Sequence, residues 1–302
     1  MKILVLGVLG MLGHQLCRTL GDRFEIWGTH QFDRRECERY GIIPQERIIG
    51  QVDVRDLSTV QRALDQSKPD AVINGIGIVK QRDEAKQAVP SIQVNSLFPH
   101  QLADLCVDRN VRVFQISTDC VFSGRRGNYT ESDLPNPVDL YGRTKLLGEL
   151  NRPGTLTLRT SIIGWQVCDF ASLLSWFALQ RGKHIKGYRK TIYSGVSTQI
   201  FSTLIGDIIE TQADLHGLYH VASLPISKYD LLVQLRDALG WSDIFIEPED
   251  EYACDRSLDS ARFSTTAGWK APSWEAMLSD LAHDWPEYES WYAQYSKQSS
   301  HS

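Results

Sequence analysis

The chain has 302 residues, 42% of them hydrophobic and 23% charged, and carries a formal net charge of -5. That length suffices for one large domain or two smaller ones with real cores, while mixed charge on an acidic balance excludes the basic face of a nucleic-acid binder and gives no reason for membrane-surface binding. The first apolar run, ILVL, is too short for a signal-peptide core and no later segment reaches bilayer length, so a cytoplasmic address and a small-molecule partner are expected.

Short apolar runs alternate with segments of helical period through the first half, the pattern of β-α units on a parallel sheet. KILVLG (2–7) reads as the first strand and MLGHQLCRTLG as a helix closed by Gly21; FEIWGT and RIIGQVD follow as the second and third strands. DLSTVQRALDQ (56–66) carries Leu57, Val60 and Leu64 on one helical stripe. DAVINGIGI (70–78) and RVFQIST (112–118) are near-continuous apolar runs that suit strands covered on both faces, with a long helical segment, IQVNSLFPHQLADLCVDR, between them. TLTLRTSIIG (155–164) is a sixth strand. Beyond residue 165 the alternation fades: a basic loop spans 181–190, IFSTLIGDIIETQ resumes helical period, and GLYHVAS (217–223) is one more strand. We therefore expect a Rossmann-type doubly wound α/β domain from 1–165 with a return segment 192–223. A smaller substrate-binding lobe takes 166–191 and 224–296, and a flexible polar tail takes 297–302.

Six cysteines, at 17, 37, 106, 120, 168 and 254, show no Cys-x-x-Cys pair and no histidines at metal spacing; they read as reduced thiols, with no metal site. His216 and His220 are four apart, but on a strand, where that spacing does not form a helical metal pair.

GVLGMLG places Gly7, Gly10 and Gly13, with Met11 and Leu12 between them, where the first strand meets the first helix. A tight turn, close backbone approach and a helix N-terminus together suit a pyrophosphate. At the end of the second strand stand His30, Arg34 and Arg35, with Asp33 the only nearby acid, and this positive setting favours the 2′-phosphate of NADPH over NADH. Asp53 and Val54 are candidates to face the adenine, and Gly75, Ile76 and Gly77 to pass under the pyrophosphate and ribose; turn geometry is the competing reading of both. Tyr141 and Lys145 lie four apart on one helix face and can share a ligand, although Tyr-x-x-x-Lys alone arises often by chance.

Taken together, GVLGMLG, NGIGIVK, ISTDCVFSG and LYGRTKLLGE stand in the order and spacing of the extended short-chain dehydrogenase/reductase family, and the chain most resembles its dTDP-4-dehydrorhamnose reductases. The resemblance covers nearly the whole chain, through LRTSIIG, GLYHVAS, ISKYDLL and DRSLDSARF. It implies NAD(P)H-dependent reduction of the C4 ketone of a nucleotide-linked 4-keto-6-deoxyhexose, supplying surface polysaccharide precursors. It also implies that Thr118 hydrogen-bonds the substrate carbonyl, Tyr141 supplies the proton, and Lys145 holds the nicotinamide ribose and stabilises the tyrosinate. A free phenol titrates near ~10, and a neighbouring ammonium lowers that value by favouring the anion.

Departures from the pattern open alternatives. Cys120 stands where relatives usually carry tyrosine. Packing under the nicotinamide is one reading; the other is an epimerase/reductase of the GDP-fucose synthase type, with His184 as the distant partner of Cys120. Sugar-nucleotide 4,6-dehydratases use an Asp-Glu pair after the threonine, and position 120 is not Glu. Some reductase-like chains bind NADP only as regulatory subunits, against which Thr118, Tyr141 and Lys145 are all retained. For the nucleotide sugar, the cations Arg181, Lys183, Lys186, Arg189 and Lys190 suit a diphosphate, or face water as charge runs usually do. Arg256 and Ser260 resemble a family substrate block in which Ser257 and Asp259 replace proline and asparagine, and Arg159, Thr160 and Ser161 end the sixth strand beside the expected cleft. Trp274, Trp285 and Trp291 are expected to pack the lobes, with a homodimer contact as the alternative.

Overall fold

The computed structural model describes residues 1–81, 83–168 and 170–299. Its first half runs β1 (Lys2–Leu6), α1 (Met11–Leu20), β2 (Glu25–Thr29), α2 (Arg35–Glu38), β3 (Ile48–Ile49), α3 (Leu57–Ser67), β4 (Ala71–Asn74), α4 (Ala88–Ser91), α5 (Phe98–Val107), β5 (Arg112–Thr118), α6 (Leu140–Leu147) and β6 (Thr155–Thr160). Ile92–Leu97 bridges α4 and α5 as a π-helical stretch. The second half runs β7 (Ile162–Ile163), α7 (Leu173–Ala178), β8 (His184–Tyr188), β9 (Thr191–Tyr193), β10 (Val196–Ser197), α8 (Thr198–Thr211) and β11 (Gly217–His220). It ends with β12 (Ile226–Ser227), α9 (Lys228–Ala238), β13 (Phe245–Glu249), β14 (Cys254–Asp255), α10 (Ala261–Ala267) and α11 (Trp274–Ser299).

A seven-stranded sheet in the order β11-β6-β5-β4-β1-β2-β3, every pair parallel, forms the large lobe. Helices cover both faces. On one face Leu4, Leu6 and Val72 pack with Val60, Leu64, Phe98 and Leu102. On the other, Ile3, Val5 and Ile73 join Leu12, Leu16 and α8, and this core continues without a break to Phe177, Leu231 and Tyr288 of the second lobe. The doubly wound expectation holds, and its strand order reverses between β1 and β4, where the carboxyl ends of strands open a crevice.

Three expected elements change. The DAVINGIGI strand stops at Asn74, whose amide donates to Gln115 and whose carbonyl accepts from the Ile76 N–H, turning the chain out of the sheet. TLTLRTSIIG is two strands: β6 stays in the large sheet, whereas β7 leaves it to pair with β10. The expected basic loop contains β8, which pairs with β13 and buries only Ile185 and Gly187 between exposed neighbours.

Within the expected return segment, β10 pairs with β7 and β11 with β6 of the seven-stranded sheet, whereas Ile192 and Tyr193 pair in β9 with β12 and β14. α11 continues through Ser299, so 297–299 of the expected flexible tail are helical, and 300–302 lie outside the described residues. The tryptophans pack within the chain: Trp165 lies 4.7 Å from Trp285, Trp274 donates its indole N–H to Leu224 O, and Trp291 packs on Tyr288.

Candidate active site

At the end of β1, Gly7 adopts φ +84°, a conformation that side chains disfavour. Gly10 then begins α1 with no side-chain cap, leaving the first N–H groups of the helix for a ligand. A Cβ on Gly13 would overlap the Gly7 carbonyl, and one on Gly75 would stand 2.8 Å from Leu6 O. The glycines thus let three backbone segments meet where a side chain would intervene.

From this turn a cleft of about 330 Å³ runs across the carboxyl ends of β1, β4, β5 and β6. Gly10, Met11, Leu12, Gly75, Ile76 and Gly77 line one part of it, and Thr118, Cys120, Tyr141 and Lys145 another. An uncapped helix N-terminus, bare glycine backbone and a buried ammonium beyond Gly77 are the donor set that a dinucleotide needs, so the residues present fit the expected cofactor.

Thr118 is the last residue of β5. Asp139 caps α6 by accepting from the Gly142 N–H at 2.8 Å, which sets Tyr141 in the first turn and Lys145 one turn later. The Thr118 hydroxyl accepts from the Cys120 N–H and donates to the Asp119 carboxylate, both at 3.1 Å, and lines the cleft together with the Tyr141 phenol. Lys145 Nζ donates to Ile116 O at 2.6 Å. The three segments meet.

Electrostatics here differ from the expectation. Burial pushes the Tyr141 phenol up, reinforced by Cys120 and Asp119 and opposed by the Thr118 hydroxyl. The phenol is therefore raised, not lowered as a neighbouring ammonium alone would make it, because desolvation is the largest influence on it. Lys145 itself is lowered to about 8 by burial, against the charge of Glu149.

Several expected ligands lie elsewhere. Arg159 is 4% exposed and forms a two-pronged ion pair with Glu149, both contacts at 2.7 Å, while Ser117 donates to the same carboxylate; it is not among the residues lining the cleft. Lys186 points outward from β8, Arg181 pairs with Asp243, and Arg189 with Asp250, so the basic run faces solvent. His184 stacks on Phe245 at 4.6 Å and is not among the residues lining the cleft with Cys120. Arg256 stands behind Cys120, donating to Phe122 O and reaching the thiol at 3.8 Å. Ser260 donates to Ala222 O, away from the cleft. At the far cofactor end, Arg35 is engaged by Asp33 and Asp53 by Arg55, Val54 is buried in the core, and Arg34 remains exposed. His30 joins the β2 and β3 ends through backbone bonds to Ile49 and Val52.

Thr160 and Ser161 line the cleft, which also gathers residues that carry no signal in the sequence analysis: Asp119, Gln166, Tyr193 and Lys228. Asp119, between Thr118 and Cys120, could have been found by adjacency. Nothing local marks Tyr193 or Lys228, which reach the cleft only because the second lobe folds over it.

A glycine turn at the switch point of a doubly wound sheet, with threonine, tyrosine and lysine converging beside it, defines an extended short-chain dehydrogenase/reductase. Within that class the chain belongs to the family described as RmlD substrate binding domain, which matches residues 1–285. It is 24% identical to a dTDP-4-dehydrorhamnose reductase of Aggregatibacter actinomycetemcomitans, with 78% of each chain covered. It is 26% identical to a probable low-salt glycan biosynthesis reductase, Agl14, of Haloferax volcanii, covering 96% of this chain and all of that one (100%). Among solved structures, the dTDP-4-dehydrorhamnose reductase of Bacillus anthracis str. Ames in complex with NADP has the same fold, with a TM-score of 0.76 at 22% identity over 93% of this chain and 98% of that one.

Proposed function

We propose that this protein uses NADPH to reduce the C4 ketone of a nucleotide-linked 4-keto-6-deoxyhexose in the synthesis of surface polysaccharide precursors. The observation that carries this reading is the convergence of Thr118, Tyr141 and Lys145 in one cleft continuous with the glycine turn. When bound, the nicotinamide supplies a hydride to the ketone carbon. The α1 N-terminus and Gly10 through Leu12 hold phosphates, and Gly75 through Gly77 let the ribose approach. Lys145, behind Gly77, donates to that ribose. As charge grows on the ketone oxygen, the Thr118 hydroxyl turns from Asp119 to donate to it, and the Tyr141 phenol delivers the proton. A phenol held high by burial is a reluctant acid until that oxygen becomes basic, which matches proton delivery to the moment of need.

The reading is tested by NADPH oxidation over a panel of dTDP-, GDP-, UDP- and CDP-linked 4-keto-6-deoxy sugars. Turnover with at least one is expected, and silence with all of them, alongside a stable protein partner in pull-downs, would favour a regulatory subunit. A kcat/KM tenfold better for NADH would reverse the cofactor preference, which rests on Arg34 and its neighbours. Epimerisation before reduction is disfavoured by the Cys120 thiol, pushed up to about 12 by burial and by Asp119, and by the position of His184. Turnover in deuterated water should accordingly leave no deuterium at C3 or C5.

A further inference from the structure

The cleft wall contributed by the second lobe holds an ammonium group without a hydrogen-bond partner. Ser227 caps α9, accepting from the Asp230 N–H at 2.9 Å and donating to its carboxylate at 2.6 Å, and this fixes the first turn from which Lys228 enters the cleft. Lys228 Nζ lies 4.8 Å from the centre of the Tyr193 ring. Among the described residues it makes no hydrogen bond and no ion pair, and its ammonium stands over the Tyr193 ring. An ammonium has three N–H donors, and leaving them unmet in a partly dry site is costly. Burial lowers its proton affinity, and the nearby Asp119 carboxylate is the largest influence holding the proton on.

Asp119 also lines the cleft, is bonded to Thr118, and through Thr118 adjoins Tyr141. The two charges attract without closing on one another. Both line the same cleft, so a ligand oxygen that reaches both would meet an ammonium and a carboxylate. A phosphate, which only accepts, would be repelled by Asp119; a hydroxyl both accepts and donates, and satisfies both. The group sits one residue from the threonine that meets the ketone. In a 4-keto-6-deoxyhexose the carbons flanking that ketone are C3, which carries a hydroxyl, and C5, which carries the methyl.

Building on the reductase reading, we infer that Lys228 and Asp119 together recognise the C3 hydroxyl of the substrate, Lys228 donating to it and Asp119 accepting from it, so that Lys228 is a specificity residue for sugars hydroxylated beside the ketone.

The test compares full-length protein with its Lys228→Met variant, using NADPH and two substrates: a 4-keto-6-deoxyhexose nucleotide that the wild type reduces, and its 3-deoxy counterpart. Sites built to hydrogen-bond a hydroxyl reject analogues lacking it by large factors, so the wild type should favour the hydroxylated sugar by about 10²-fold or more in kcat/KM. Lys228→Met should lose about tenfold or more on the hydroxylated sugar, mainly through KM, while its kcat/KM on the 3-deoxy sugar and its NADPH affinity stay unchanged. Lys228→Arg should recover part of the preference. Equal losses on both sugars, or none on either, would overturn the inference; if Lys228→Met folds poorly, Lys228→Leu, which also lacks a donor, reads the same split. A wild type inactive on every 4-keto sugar nucleotide would instead overturn the reductase reading, and this inference with it.

Discussion

On the β1 side of the cleft the wall is largely backbone: glycines at 10, 75 and 77, and the uncapped end of α1. On the opposite side it is side chains, with Tyr193 and Lys228 of the second lobe facing Asp119 and Cys120. Backbone N–H groups can hold any dinucleotide phosphate but cannot readily be altered one at a time, so that wall is generic and fixed. Side chains can be exchanged singly, so the reductase reading assigns discrimination between substrates to this wall. Substitutions on the two sides should therefore fail differently, in cofactor binding on one and in substrate KM on the other, with the chemistry between them.

The largest effect is expected at the junction of the walls. Tyr141→Phe removes one hydroxyl and almost no volume, and should lower kcat by about 10²–10⁴, the range of a positioned acid, with NADPH affinity retained. Steady-state kinetics with a direct NADPH titration would check this, and a near-normal kcat would refute the assignment. Beneath the site, Glu149→Ala strands the buried Arg159 guanidinium and should cost about 3–5 kcal/mol in denaturant unfolding. A loss below about 1 kcal/mol would mean that water reaches the pair.

The two sides also respond to acid. His14 bonds the Gly10 carbonyl and the Tyr288 hydroxyl beneath the glycine turn, both at 2.9 Å, and His220 bonds Tyr129 O beneath the side-chain wall at 3.0 Å. Each is lowered to about 4, chiefly by burial. The unfolded chain binds protons at these histidines from about pH 6.5 downward, whereas the fold resists them until about pH 4. Stability should thus be flat above pH 6.5 from this source and fall with acid between 6.5 and 4, by at most about 1.4 kcal/mol per pH unit for each histidine. Urea unfolding of His14→Gln at pH 5 and 7 should show a smaller difference between the two pH values than the wild type does; an equal difference would mean that His14 does not contribute.

What could be read from the sequence divides along the same line. The β1-α1 unit and the β5 strand ending at Thr118 are local: an apolar run, a turn chemistry and a helical stripe each occupy consecutive residues. The Asp139 cap and the four-residue step from Tyr141 to Lys145 are local too. The pairing of Arg159 is not legible, because its partner Glu149 lies ten residues earlier on the far side of a turn, and only packing decides which face of β6 the guanidinium takes. Lys228 carries no pattern of its own, since its place in the cleft depends on β9, β12 and α9 assembling first. The strand β8 is hidden for a different reason: with only Ile185 and Gly187 buried, its inward face carries a single large apolar side chain, too little to show a period of two among the flanking cations.

That hidden strand gives the smallest predicted effect. Five cations between 181 and 190 look, by composition, like a diphosphate site, but composition does not record direction. Lys186 stands on the exposed face of β8, where β13 supplies Glu247 as its registered neighbour. An exposed side chain of this kind contributes little to stability, within about 0.5 kcal/mol. Lys186→Ala should therefore leave KM for the nucleotide sugar within about twofold of wild type and the unfolding midpoint nearly unchanged, since a screened surface charge interacts weakly beyond roughly 10 Å. A diphosphate ligand would behave otherwise: losing a charge-assisted bond worth about 1.5–3 kcal/mol raises KM by about tenfold or more. A rise of that size in Lys186→Ala would mean that the basic strand closes over bound substrate, and would move the boundary between the two walls to β8.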